Sequence, residues 1–298
     1  MTEFTVKIAD ELFALCCGQE NTKARFADYL TEETGGTALY ASRQRRAAVR
    51  QLLEKNPDRR HTDLSPNYIE FLALHQCISY ALIEKQVLLV HGSVVVADGE
   101  AVLFIAPSRT GKSTHTRLWT ELPDAHAFVI NDDKPLIRIG EKAPTVYATP
   151  WGIVTAPEKR SAPLKALVHL QRGENRIAAV EPHTLLVPLM QACQRGRTQE
   201  ETIALTSLQN SLLCSVKTYT MTCQPDMAAA EMAYNTINRV GRNFSALSHH
   251  RTCRSAYGGS IQIIIQTAQK SSLCEDFFVD EVQSCGLCDR LVVVAEAD

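Results

Sequence analysis

The stretch Ala101–Leu122 reads AVLFIAPSRTGKSTHTRLWTEL, and its reading decides the fold. AVLFIA is a short continuous apolar run of the kind that forms a buried strand, and STHTRLWTEL is compatible with a helix. Between them, Ala106-Pro107-Ser108-Arg109-Thr110-Gly111-Lys112-Ser113-Thr114 has the spacing of a phosphate-binding loop, with Ala in place of the usual first Gly. Successive backbone N–H groups and a helix N-terminus converge there and create positive potential for phosphate oxygens. Lys112 adds a mobile charge for the β- and γ-phosphates, and the Ser113 hydroxyl is suited to ligate Mg2+. Arg109 stands where such loops often have Gly, because a left-handed backbone costs a side chain about 1 kcal/mol or more. Its side chain is read as exposed, with a phosphate contact as the alternative.

Working outward, Val87–Val96 (VLLVHGSVVV) reads as one β-branched strand. The Asp98-Gly99 turn folds it back onto Ala101–Ala106 as a β-hairpin. His91 sits within this run, beside the phosphate loop, as a phosphate contact or a proton-transfer partner. Downstream, Ala127–Asn131 (AFVIN) reads as a strand, followed by a turn at Asp132–Pro135 and Leu136–Ile139 (LIRI), a second unit of the same kind. Packed beside the loop's strand, Asn131-Asp132-Asp133 would deliver two carboxylates to a nucleotide's metal. One would orient Mg2+ or its water, and the other would accept a proton from an attacking hydroxyl. Neighbours in a strand point to opposite faces, so the two are not equivalent, but the spacing does not say which does what.

The rest of the chain sets limits. With 298 residues, one large domain or two modest ones can bury a full core. A net charge of −2 offers no general field for polyphosphate, which argues against a nucleic-acid binder. The start MTEFTVKIADELF has neither the basic flank nor the apolar run of a signal peptide, and no window approaches a membrane helix. The ten cysteines then read as reduced thiols of a cytoplasmic protein. Phe4–Ile8 reads as a strand, and residues 42–55 as a helix capped by Ser42. Arg43, Arg45, Arg46 and Arg50, with Lys55, Arg59 and Arg60, make this the most basic stretch, a solvated face or a dock for an acidic substrate. Residues 65–84 read as a helix opened by Ser65 and Pro66, with His75 and Cys77 as filler. A strand at Ala166–Leu170, helices near 184–194 and 199–214, a strand at Val216–Thr222 and a helix at Asp226–Asn238 follow. This order predicts an α/β core of mixed sheet and packed helices over residues 85–240, with an α+β segment over 1–84 and an extension over 241–298.

The order His-Gly strand, hairpin, phosphate loop and Asp-Asp strand resembles the HPr kinase/phosphorylase family. The match is closer to an uncharacterised bacterial subgroup with a Ser-Gly-Thr-Gly-Lys-Ser-Thr-His-Thr-x-Leu-Trp signature, which reads Ser108-Arg109-Thr110-Gly111-Lys112-Ser113-Thr114-His115-Thr116-Arg117-Leu118-Trp119 in this chain. The Thr149-Pro150-Trp151-Gly152 turn and the strand Lys165–Gln171 also look like that subgroup. Similarity runs from near the N-terminus to about residue 240 and is strongest over 87–152. It implies a fold related to the ATP-dependent phosphoenolpyruvate carboxykinase core. It also implies that ATP and Mg2+ are used, with Ala106–Thr114 on the nucleotide and Ser113 and Asp132 at the metal. Asp133 becomes the proton acceptor, joined by Lys112 and His91 as catalytic residues. The expected activity is transfer of the γ-phosphate to a serine-like hydroxyl of a peptide, small protein or metabolite. A homo-oligomer is compatible with this, and no nucleic acid or membrane partner is expected. The family's Glu-Arg-Gly-Leu-Gly-Ile signature, whose Glu helps bind metal, is replaced by Tyr147–Ile153 (YATPWGI). The acceptor is therefore expected to differ from HPr. A nucleotide-binding sensor without catalysis and a carboxykinase-like phosphoryl transfer are the alternatives.

In the extension, His249, His250, Cys253, Cys274, Cys285 and Cys288 gather, and Gly259–Thr267 and Leu291–Ala295 have strand character. Cys285-Gly286-Leu287-Cys288 has the spacing of a zinc knuckle or a redox pair, but no second pair at metal-site spacing accompanies it. Reduced cysteines are the expected state. Metal analysis of protein purified without chelators should find no stoichiometric zinc, and one zinc per chain would overturn that reading.

Overall fold

The computed structural model describes residues 1–55, 63–123, 125–140 and 143–239. Strands β1 (Thr2–Ile8) and β2 (Glu11–Cys17) pair antiparallel, and β3 (Thr37–Tyr40) adds in parallel to β2. Phe4, Val6, Ile8, Phe13 and Leu15 alternate onto the buried face of this small sheet. A 3-10 run at Glu20–Tyr29 and the helices α1 (Arg43–Lys55) and α2 (Pro66–Ala81) cover it. The Ser42 hydroxyl accepts from Arg45 N at 3.1 Å, as its cap position predicts. Glu70 on α2 is fully buried and satisfied: it accepts from Gly18 N, Gln19 N, Thr22 Oγ1 and Arg46 Nη1 at 2.8–3.0 Å. Arg45 donates to Gln76, and Arg43 and Arg50 are exposed, while Arg59 and Arg60 lie outside the described residues.

The second sheet has nine strands: β4 (Val87–Leu89), β5 (Gly92–Ala97), β6 (Glu100–Ile105), β7 (Phe128–Asn131), β8 (Leu136–Arg138), β9 (Thr145–Tyr147), β10 (Ser161–Arg172), β11 (Arg176–Ala179) and β12 (Lys217–Cys223). They run in the order β4-β8-β9-β10-β6-β5-β7, with β12 on β10 and β11 on β12. β10 pairs in parallel with β6 and with β12, and the other pairings are antiparallel, so the fold is α/β with a mixed sheet. Helix α3 (Lys112–Thr120) and helix α6 (Met227–Tyr234) pack on one face, against Val95, Val102, Phe104 and Val168. Helices α4 (Leu186–Ala192) and α5 (Gln199–Ser215) pack on the other, against Val94, Leu103, Ile105 and Leu167. Burial on both faces is why these strands read as unbroken apolar runs.

The β5–β6 hairpin forms as expected, with positive φ at both Asp98 and Gly99 and Ala97 opposite Glu100. Three expectations are corrected. Val87–Val96 is not one strand: it breaks at Val90–His91, where Val90 bridges to Cys193. The two runs around Asp132–Pro135 are not a hairpin either. β7 and β8 run on in one direction, β7 along β5 and β8 along β4, in a single register from Val94↔Asn131 to Val87↔Arg138. Val90 N to Pro135 O (3.1 Å) and Gly92 N to Asp133 O (3.0 Å) carry the pairing across the break. The whole is one bent antiparallel ribbon. Finally, β7 does not lie beside the loop's strand β6, because β5 stands between them. Thr37–Tyr40, Thr145–Tyr147 and Arg176–Ala179 are short strands that periodicity did not reveal. Among the described residues no helix is long and apolar enough to cross a membrane.

His115 lies inside the α3 face of the core, where it accepts from Trp119 Nε1 at 3.3 Å and packs on Phe104. Burial pushes its imidazole down to about 4, so the folded protein holds it neutral while the unfolded chain takes up a proton near pH 6.5. The stability it contributes is present above pH 6.5 and is lost as the pH falls from there through about 4. Urea unfolding of the wild type should show a loss of about 2 kcal/mol from this residue between pH 7 and pH 5. In His115→Gln that loss should be smaller by the same amount.

Candidate functional site

The loop 106–114 connects β6 to α3. Ala106 and Lys112 are buried, Ser108, Thr110, Gly111 and Thr114 are half-buried, and Pro107, Arg109 and Ser113 are exposed. Gly111 caps α3 at φ 116°, and Arg109 holds φ 62°, so the position that held the sequence's one anomalous side chain does adopt a left-handed backbone. That conformation costs a non-glycine residue about 1–2 kcal/mol, which the surrounding bonds must offset. Lys112 Nζ donates to the carbonyls of Ala106 at 2.9 Å and Pro107 at 3.3 Å, and Thr110 Oγ1 donates to the Pro107 carbonyl at 2.8 Å. The first-turn amides of α3 have no partners within the helix, which is what makes such a terminus attractive to an anion. Ser93 on β5 and Thr116 on α3 share a hydrogen bond of 2.7 Å, which fixes the helix to the ribbon.

The ribbon bends at Asn131–Lys134, and Asn131 explains the bend. Its side chain is fully buried, and its Oδ1 accepts from both Asp133 N (3.0 Å) and Lys134 N (2.8 Å). An Asn that bonds the backbone two and three residues ahead diverts a strand without reversing it. Its Nδ2 donates to Thr149 Oγ1 at 2.9 Å, and Thr149 in turn donates to the Lys134 carbonyl at 2.9 Å. The Thr149-Pro150-Trp151-Gly152 turn therefore buckles onto the bend. A Cβ on Gly152 would lie 2.4 Å from Asn131 Oδ1, so only glycine fits that approach. Trp151 is anchored from behind by Phe71, Phe26 and His75 of the N-terminal segment.

The bend gathers His91, Ser113, Asp132 and Asp133 of the residues singled out from the sequence. His91, at the break between β4 and β5, donates its backbone N–H to the Ala192 carbonyl. Its Nε2 lies 3.5 Å from Asp133 Oδ1, and Lys134 Nζ lies 3.4 Å from the same oxygen. Asp132 points elsewhere, its Oδ1 accepting from Ile153 N at 2.6 Å, while its backbone carbonyl accepts from Ser113 Oγ at 3.3 Å. Ser113, on α3, and Asp132, just after β7, thus share one neighbourhood although β5 stands between β6 and β7. The Ser113 hydroxyl meets the Asp132 backbone carbonyl, while the Asp132 carboxylate is held by Ile153 N; these are oxygen donors, the type a hard cation such as Mg2+ takes. Lys112 Nζ sits on its own loop, at the Ala106 and Pro107 carbonyls. Sequence reading missed Lys134, Asn131 and Arg172, the last of which donates to the loop carbonyls of Arg109 and, at 3.5 Å, Thr110. The one signal for Asn131 was a polar residue ending an apolar strand. His249, His250 and the cysteines of the extension lie outside the described residues.

No protein-family model and no curated protein matches the chain. A solved structure, the HPr(Ser) kinase/phosphatase from Coxiella burnetii, is similar to it at 11% identity and a TM-score of 0.33, over 52% of this chain and 90% of that one. A likeness of this size leaves the functional reading to the residues themselves.

Asn131→Ala leaves the Asp133 and Lys134 amides without their acceptor. It should cost about 2–3 kcal/mol in urea unfolding, the penalty of stranding buried polar groups. Gly152→Ala should destabilise by a similar route, through the displaced Asn131 amide.

Proposed function

We propose that the protein is an ATP-dependent phosphotransferase that moves the γ-phosphate to a hydroxyl of a peptide, small protein or metabolite. The observation that carries this reading is the meeting of two halves at the ribbon bend: a phosphate-loop helix, through the Ser113 hydroxyl, against the backbone carbonyl of Asp132 at 3.3 Å, with the His91–Asp133–Lys134 group on the next residues. In this reading the loop amides and the α3 N-terminus hold the phosphates, and Lys112 leaves the Ala106 and Pro107 carbonyls to reach them. Ser113 and Asp132 would hold Mg2+, which would neutralise phosphate charge when bound. Asp133 takes the proton as the acceptor oxygen forms its bond to the γ-phosphorus and the bond to the β-bridging oxygen breaks, releasing ADP. His91 and Lys134, both beside Asp133 Oδ1, hold that carboxylate in place. Catalysis in this scheme is positioning and electrostatics.

A second reading, a nucleotide-binding sensor without turnover, draws on Tyr147–Ile153. Where the resembled family has its glutamate, this chain presents the backbone N–H of Ile153 to Asp132. Incubating the purified protein with ATP, Mg2+ and a pool of hydroxyl acceptors separates the two, since only an enzyme consumes ATP in an acceptor-dependent way.

Lys112→Ala should weaken ATP binding at least 10-fold by calorimetry, about 1.4 kcal/mol. Equal affinity in mutant and wild type would sink the nucleotide assignment. Asp133→Asn should bind ATP as the wild type does and lose transfer, because its proton acceptance matters only as the hydroxyl attacks. Asp132→Asn should also shift the Mg2+ titration. Wild-type single-turnover rates in Asp133→Asn would remove it as the base.

A further inference from the structure

We propose that Arg172 is a positioning residue of the phosphate-binding loop, supplying from a neighbouring strand the restraint that lets Arg109 stand where glycine is usual. The proposal rests on the nucleotide-binding reading for its purpose, but the restraint itself is read from the fold. Arg109 holds a left-handed φ of 62°, a region disfavoured for a residue with a side chain. Arg172 is the last residue of β10, and β10 lies parallel to β6 with His169 opposite Ile105, so Arg172 emerges level with the loop that leaves β6. On its other side Arg172 pairs with Cys223 of β12, which holds its backbone in the middle of the sheet.

From that position the guanidinium donates through Nη2 to the Arg109 carbonyl and reaches the Thr110 carbonyl through Nε at 3.5 Å. Lys112 takes the carbonyls of Ala106 and Pro107, on the strand side of the loop, so the two cations divide the loop between them. Holding the Arg109 and Thr110 carbonyls fixes the two peptide planes that follow the left-handed residue. In a trans peptide the N–H points away from the C=O, so the Gly111 N–H is aimed away from Arg172. A planar fork can span two carbonyls, whereas an ammonium is a single point. When Lys112 turns to the phosphates, Arg172 remains to keep the second half of the loop in shape.

The test compares wild type, Arg172→Ala and Arg172→Lys, each also in an Arg109→Gly background. Two readouts are taken: hydrogen exchange of the peptide spanning 107–114 in the unliganded protein, and calorimetric affinity for Mg-ATP. Arg172→Ala should speed exchange in the loop at least fivefold without changing β5 or β6, and should weaken Mg-ATP binding about 10-fold. Arg172→Lys should recover little of either. With Gly at 109 the affinity lost to Arg172→Ala should shrink to threefold or less, since glycine adopts the left-handed conformation unaided. Unchanged loop exchange in Arg172→Ala would overturn the restraint. An equal loss of affinity in both backgrounds, restored by Arg172→Lys, would mean that the charge acts on phosphate directly and would overturn the positioning role. A loosened loop in a protein whose wild type binds no ATP would support the restraint and overturn the nucleotide reading instead.

Discussion

One amide oxygen, Asn131 Oδ1, carries two backbone N–H groups at the point where a long antiparallel ribbon would otherwise run straight. A straight ribbon would send Asp132 and Asp133 to opposite faces of the sheet, as strand geometry requires. The Asn131 turn redirects both side chains, while the Asp133 carbonyl keeps its ladder bond to Gly92 N. The Asp132 carbonyl then meets Ser113, and Asp133 meets His91 across the break in the partner strand. The meetings of His91 with Asp133 and of Ser113 with the Asp132 carbonyl depend on that bend, and the bend depends on a buried amide with all its partners in place.

Those partners come from far along the chain, and they explain what the N-terminal segment contributes to the site. Thr149 and Gly152 hold Asn131 from one side, and Trp151 between them inserts into the aromatic cluster of Phe26, Phe71 and His75. Arg138 on β8 donates to Ala9 and to Glu11 of the small sheet, a second tie between the two halves. A segment with none of the proposed catalytic residues thereby buttresses the turn that positions them.

The loop shows the same economy with charge. Its anion-attracting amides are useful only if its carbonyls are held away, and two cations hold them: Lys112 from within and Arg172 from the next strand. Lys112 is buried and its ammonium is held by the loop's own carbonyls. His91 and Lys134 converge in a similar way on one oxygen of Asp133, which orients that carboxylate.

What the sequence determined by itself is local. The strand–loop–helix of 101–120, the Asp98-Gly99 hairpin, the long helices and the two-faced burial of the central strands all follow from short-range pattern, and all form. His91, Lys112, Ser113 and the aspartate pair were singled out by residue type and motif, and the structure sets His91 beside Asp133 and Ser113 on the Asp132 carbonyl. The path of the ribbon was not. An apolar run interrupted by His-Gly reads the same whether it continues or breaks, and Asp132–Pro135 reads as a reversal because turn residues mark a change of direction without fixing its angle. Only the tertiary structure decided that the runs continue side by side, that Thr149 and Gly152 clasp Asn131, and that Arg172 reaches the loop. Those outcomes rest on hydrogen bonds between residues about 20 to 60 positions apart, and no periodicity within a segment encodes a partner at that distance.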